Sequence, residues 1–142
     1  MILILQLKSD ELSQDERFKA VTGFNSQEHA KFCAHLLIKR TELYVPVAKV
    51  LADDLEYAFR VTNTVDQQWF LPEVCAAAKV HYMGPPRGCR STSVGDILMR
   101  GARAHVVSSF GFTELTDFEP ALEVAVKVLR EHGFRVDGDT VQ

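Results

Sequence analysis

The chain opens on an almost unbroken apolar run, ILILQL at residues 2–7, interrupted only by Gln6 and closed by Lys8. A run of this length without alternation predicts a central strand covered on both faces. Residues 8–24 are polar with scattered apolar anchors and predict a long loop or a short helix. From Asn25 the period changes. Ala30, Cys33, Ala34, Leu37 and Ile38 fall on one face at helical spacing, and Asn25 with Glu28 has the form of a capping box. Lys39 and Arg40 close that helix where its dipole favours cations. Val45, Pro46 and Val47 predict a strand at or near a sheet edge. Asp53 with Glu56 predicts a second cap, opening a short helix with Leu55, Ala58, Phe59 and Thr62 on one face.

Periodicity is lost between Asn63 and Ala78, around the single tryptophan, Trp69. KVHYM at residues 79–83 reads as a strand running into a Gly- and Pro-rich loop. Residues 94–100 and 104–110 then predict an antiparallel hairpin turning at Gly101, with Gly95 or Gly111 in a backbone conformation reserved for glycine. The last helix is the clearest. Thr116 or Asp117 caps it, Phe118, Leu122, Ala125 and Leu129 form its buried stripe, and Gly133 stops it. Residues 134–136 add a short strand. The pattern predicts a single α+β domain spanning residues 1–142, with a mixed or antiparallel sheet of about five strands and about three helices packed on it.

Composition narrows the function classes. The formal net charge is −3, with no basic field of the kind that non-specific nucleic-acid binding requires. Nucleic-acid binding through the hairpin needs Arg87, Arg90, Arg100 and Arg103 to gather on one face. Cys33, Cys75 and Cys89 are odd in number and widely spaced, which fits a reduced, cytoplasmic chain better than a disulfide framework or a zinc site. The opening run has no basic segment before it and no cleavage site after it. Neither a secretory leader nor a membrane span is expected.

Candidate chemistry concentrates in the loop GPPRGCRSTS, residues 84–93. Its glycine backbone, its hydroxyls and Arg87 and Arg90 have the groups of an anion cradle, which makes a small-ligand site or an enzyme the competing reading. The structural alternative is that Ser91, Thr92 and Ser93 cap backbone groups, and that Arg90 pairs with Asp66 or Asp96. Cys89 between two arginines invites a reactive-thiol reading, although no nucleophile context surrounds it. His29 and His35 lack zinc-helix spacing, and His81 and His105 lie on predicted strands whose separation the sequence does not fix. No metal and no cofactor is expected.

The order AFRVTNTVDQQW, then CRSTSVGDIL, then AHVVSSFGFTEL resembles a pattern in small proteins of phages, plasmids and other mobile elements. Its second half is also similar to the YodL-like domain. The matching positions are Thr62, Asn63, Asp66 and Trp69, then Arg90 to Ile97, then Gly111, Phe112 and Leu115. The resemblance implies an accessory role in mobile DNA, including the countering of host restriction or defence, and carries no catalytic residue. The expectation is therefore a non-enzymatic protein binding a host protein or a second copy of itself. Its candidate binding residues are Arg87, Arg90, Ser91, Thr92, Ser93, Asp96, Trp69, Asn63 and Asp66, with Gly95, Gly111 and Phe112 shaping the hairpin.

Overall fold

The computed structural model of the chain describes residues 1–22, 25–116, 118–137 and 140–141. Its centre is the opening apolar run, strand β1 (Ile2–Leu7), all six residues of which are buried. On one side β1 pairs with β2 (Tyr44–Val50), which pairs in turn with β3 (Val80–Tyr82). On the other side it pairs with β4 (Ile97–Arg100), followed outward by β5 (Arg103–Ser108) and β6 (Gly111–Glu114). Every pairing is antiparallel, and the strand order is β3-β2-β1-β4-β5-β6. Among the described residues five α-helices accompany this sheet: α1 (Gln14–Thr22), α2 (Ser26–Lys39), α3 (Leu55–Thr62), α4 (Pro72–Ala78) and α5 (Glu119–Glu131). The fold is α+β, with more strands and helices than the sequence pattern predicts.

Side chains alternate across a strand, so a strand apolar at nearly every position needs cover on both faces. Leu3, Leu5 and Leu7 of β1 join Ile97, Met99, Ala104 and Val106 under α2 and α5. Ile2 and Ile4 join Val47, Val50, Leu98 and Val107 under α3, α4 and Trp69. Gln6, next on that second face, marks where apolar cover gives way to a polar cluster. Pro46 lies at a register shift, since Ile4 opposes Ala48 while Leu5 opposes Pro46. This irregularity accommodates a residue that cannot donate to a ladder.

Several expectations are corrected in detail. Residues 8–24 contain a true helix, α1. Asp54, not Asp53, caps α3 by accepting from the Glu56 amide, while Asp53 pairs with the amino terminus. The aperiodic stretch before β3 hides α4, which starts at Pro72, a residue whose fixed φ and missing amide suit the first helical position. On α2, Ile38 is 36% exposed and Leu36 is buried in its place. Phe118 holds the cap position of α5 without a side-chain hydrogen bond, and Asp117 lies outside the described residues. Ala121 and Val128 are buried beside Ala125 and Leu129 in the stripe. The chain leaves α5 through Gly133 at φ 89°, with the Phe134 amide reaching back to the Leu129 carbonyl at 3.0 Å. Val136–Asp137 then pairs with Thr140–Val141 as a separate two-stranded ribbon.

The predicted hairpin is present as β4 and β5, but its first arm starts at Ile97 rather than residue 94 and β5 ends at Ser108 rather than residue 110. Ser109 and Phe110 form a tight turn into β6, with Gly111 at φ 128°. That added strand gives the sheet its outer edge. Leu129 is fully buried between α5 and the sheet. Leu129→Ala is expected to destabilise the fold by about 2–5 kcal/mol, read as a lower urea midpoint with an unchanged slope.

Candidate functional site

The polar cluster at the end of β1 is built from the loop that the sequence analysis singles out. Asp96 sits just before β4 and is fully buried. A buried carboxylate needs partners for both oxygens, and Asp96 has four. Its oxygens accept from the backbone amides of Leu7 and Ser93, each at 2.8 Å, and from both terminal nitrogens of Arg90, each at 2.7 Å. The Arg90 fork also donates to the carbonyls of Leu7 and Ser91. One ion pair therefore ties together the end of β1, the 90–93 loop and the start of β4. Burial pushes the Asp96 carboxyl above the ordinary aspartate range, opposed by Arg90 and by the Leu7 and Ser93 amides.

A second set of bonds joins this loop to the segment after α3. The Thr92 amide donates to the Thr62 carbonyl at 2.9 Å, and the hydroxyls of Thr62 and Thr92 lie 2.7 Å apart. Asn63 donates through Nδ2 to the Thr92 carbonyl at 2.7 Å, and the Ser91 hydroxyl donates to the Thr64 carbonyl at 3.3 Å. The Arg90 carbonyl accepts twice, from Trp69 Nε1 at 3.0 Å and from Gln6 Nε2 at 2.9 Å. The T-N-x-V-D-x-x-W and R-S-T-S-V-G-D stretches are thus two halves of one clasp. Gly95 completes it. Its φ is 96°, and a Cβ there would stand 2.8 Å from the Ala20 carbonyl oxygen of α1. Its own carbonyl accepts from the buried Tyr44 hydroxyl at 2.9 Å.

This geometry sorts the candidate residues. Asp96 and Thr92 are fully buried, and Trp69 is 2% exposed, edge-on to Tyr82 at 5.4 Å between ring centroids. Their side chains face the interior, so Trp69 is a core plug rather than an exposed aromatic. Asn63, Ser91 and Ser93 contribute to the clasp as bonded partners. Arg90 is the partner of Asp96, not of Asp66, and its side chain stays 37% exposed. Asp66 is exposed and lines a cleft of about 380 Å³ with Trp69, Arg90 and Ser91. Arg87 is exposed, makes no hydrogen bond or ion pair among the described residues, and lines a neighbouring cleft of about 430 Å³ with Lys8, Asp10 and Arg90.

That second cleft is where an anion site would have to lie, and its charges do not converge. Arg90 is neutralised by Asp96, Lys8 lies 3.7 Å from Glu11, and Asp10 adds a further negative charge. Burial pushes the Cys89 thiol up, away from the thiolate that a reactive cysteine uses. His81 and His105 are separated by β2, β1 and β4, too far to act together. Arg100 and Arg103 stand at the opposite end of β4 from Arg90, where Arg100 donates to the Asp53 carbonyl and Arg103 pairs with Glu114 at 2.6 Å. The four arginines do not gather on one face.

Gln6 and Tyr44 belong to the clasp and are absent from the sequence-based candidates. Gln6 carries a signal, as the one polar residue inside the apolar run. Tyr44 carries none, since a tyrosine at the start of a strand reads as ordinary core. No helix among the described residues is long and apolar enough to cross a membrane. No family model, curated protein or solved structure matches the chain.

Two outcomes follow from the charges. Arg90→Lys keeps the charge and loses the two-pronged fork, so it is expected to lower the melting temperature by several degrees, on the order of 1–3 kcal/mol. A melting curve within error of the wild type contradicts the clasp. Separately, burial depresses His105 below the ordinary histidine value of 6.5, with Glu114 pulling the other way. The folded state therefore favours the neutral ring, so stability present above pH 6.5 is lost as pH falls below it. His105→Gln is expected to flatten that acid-side loss in melting curves recorded from pH 7.5 to pH 5.

Proposed function

We propose that this chain is a non-enzymatic binding protein that works through protein–protein contact, in the accessory setting of a mobile element that its 62–69 and 90–97 segments resemble. The observation that carries this reading is the exposed aromatic surface beside the β5–β6 turn. Phe110, at the tip of that turn, is 93% exposed. The neighbouring Ser109 hydroxyl donates to the Thr22 carbonyl at 2.6 Å, holding the turn against the end of α1. On α1, Phe18 is 58% exposed and Val21 is also exposed. Large apolar side chains on short, tied elements lose little freedom when covered, and aromatics dominate interface energetics.

The polar groups argue the same way. Those with the greatest catalytic interest are occupied inside the clasp, and the cysteine thiols are held protonated by burial, Cys33 at about 12. The anion-site reading rests on Arg87 alone, against the acidic groups that share its cleft.

The test is capture of a partner from host-cell lysate on immobilised protein, with identification of what is held. Phe18→Ser combined with Phe110→Ser is expected to cut capture by about tenfold or more, equivalent to at least ~1.4 kcal/mol, without lowering the melting temperature. Arg87→Ala is expected to leave capture intact. Undiminished capture by the double variant, or loss of capture in Arg87→Ala, contradicts the reading.

A further inference from the structure

We infer that β6 is a self-association edge, on which a second copy of this chain adds its own β6 antiparallel to form one continuous sheet. This deepens the binding reading above and rests on it, since it names the partner that covers the aromatic rim.

The ladder geometry identifies which groups are open. Ala104 opposes Leu115, and the Leu115 amide donates to the Ala104 carbonyl at 2.9 Å. In an antiparallel pair, bonded and non-bonded residue pairs alternate. Thr113 and Gly111 therefore also turn their backbone groups toward β5. Phe112 and Glu114 turn theirs outward, and no described residue takes up those amides and carbonyls. Edge strands ordinarily carry protection in the form of Lys, Pro, a bulge or a covering segment. β6 reads Gly-Phe-Thr-Glu with an uninterrupted register, and its one charge is neutralised within the sheet by Arg103 at 2.6 Å. The opposite edge, β3, is better guarded. It is only three residues long, follows α4 and the left-handed Lys79, and runs into a loop whose Pro85 carbonyl accepts from the Tyr82 hydroxyl.

A second copy fits this edge in one register better than in others. With a two-fold axis at Thr113, Phe112 of each copy opposes Glu114 of the other, and all the outward amides and carbonyls of both strands are satisfied. Thr113 then faces Thr113 in a non-bonded pair, a favourable cross-strand combination. No like charges are opposed. Phe110 comes opposite residue 116 of the other copy, so the most exposed aromatic among the described residues gains cover.

The register is testable at Thr113 itself. Its two copies lie with Cα atoms ~4.5 Å apart across the axis, within disulfide reach, whereas the two copies of Phe110 stand roughly 20 Å apart along the strands. Sedimentation from micromolar to near-millimolar protein is expected to show a reversible dimer for the wild type. Thr113→Lys places two ammonium groups face to face and is expected to be a folded monomer with an unchanged circular-dichroism spectrum. Under mild oxidation, Thr113→Cys is expected to cross-link into a covalent dimer, while Phe110→Cys, although more exposed, and the wild type with its three native cysteines do not. A wild type that stays monomeric throughout, a dimer that survives Thr113→Lys, or cross-linking of Phe110→Cys as fast as Thr113→Cys overturns the proposal. A monomer whose lysate capture still depends on Phe18 and Phe110 removes this inference and leaves the binding reading standing. A dimer whose capture ignores those residues does the reverse.

Discussion

The Arg90–Asp96 pair is the constraint around which the rest of this fold is arranged. Asp96 has no exposure, so its carboxylate depends wholly on protein donors. Those donors come from three separate places: the end of the central strand, the turn at Ser93, and the Arg90 fork. Because Arg90 also donates to the Leu7 carbonyl while Asp96 accepts from the Leu7 amide, the pair together holds both backbone groups at the end of β1. The Arg90 carbonyl in turn receives Trp69 and Gln6, which seats the only tryptophan on the second face of the sheet. The apolar layers fill the interior, and this pair sets where the connecting loops cross its end.

An arrangement of this kind is asymmetric in energy. A buried pair contributes modestly against an apolar replacement of the same shape, because desolvating both charges offsets much of their attraction. Removing one partner is costly, since the other is left buried and unpaired. Hydroxyls and an amide from Thr62, Thr92 and Asn63 extend the network and leave few alternatives for how the 62–69 and 90–96 segments meet. The consequence for function is indirect. Groups that look reactive in the sequence are consumed in holding the scaffold, while the large aromatic side chains Phe18 and Phe110 are exposed elsewhere.

The sequence discloses the scaffold more readily than the site. β1 is legible because continuous apolar residues have few other uses in a small α+β domain, and α2 because Asn25 and its apolar stripe agree, with Asn25 accepting from the Gln27 and Glu28 amides. Gly95 and Gly111 are legible because only glycine suits their backbone. α4 is not, since seven residues starting at Pro72 give too little periodicity to stand out from a loop. β6 is hidden because four residues after a two-residue turn look like the tail of β5. The site is half legible. The punctuation around residues 88–97 marks it, but whether Arg90 points outward to a partner or inward to Asp96 depends on a contact across six residues and on the end of a strand 83 positions away. Local pattern does not hold that information.

Whether Arg90 and Asp96 act as one structural unit is measured directly by a double-mutant cycle in urea unfolding. Arg90→Ala, Asp96→Ala and the double variant are compared with the wild type. The single losses are expected not to add, with a coupling energy of about 2 kcal/mol or more, because each single variant strands the other charge. Additive losses within ~0.5 kcal/mol would show the two residues contributing independently and would contradict that coupling.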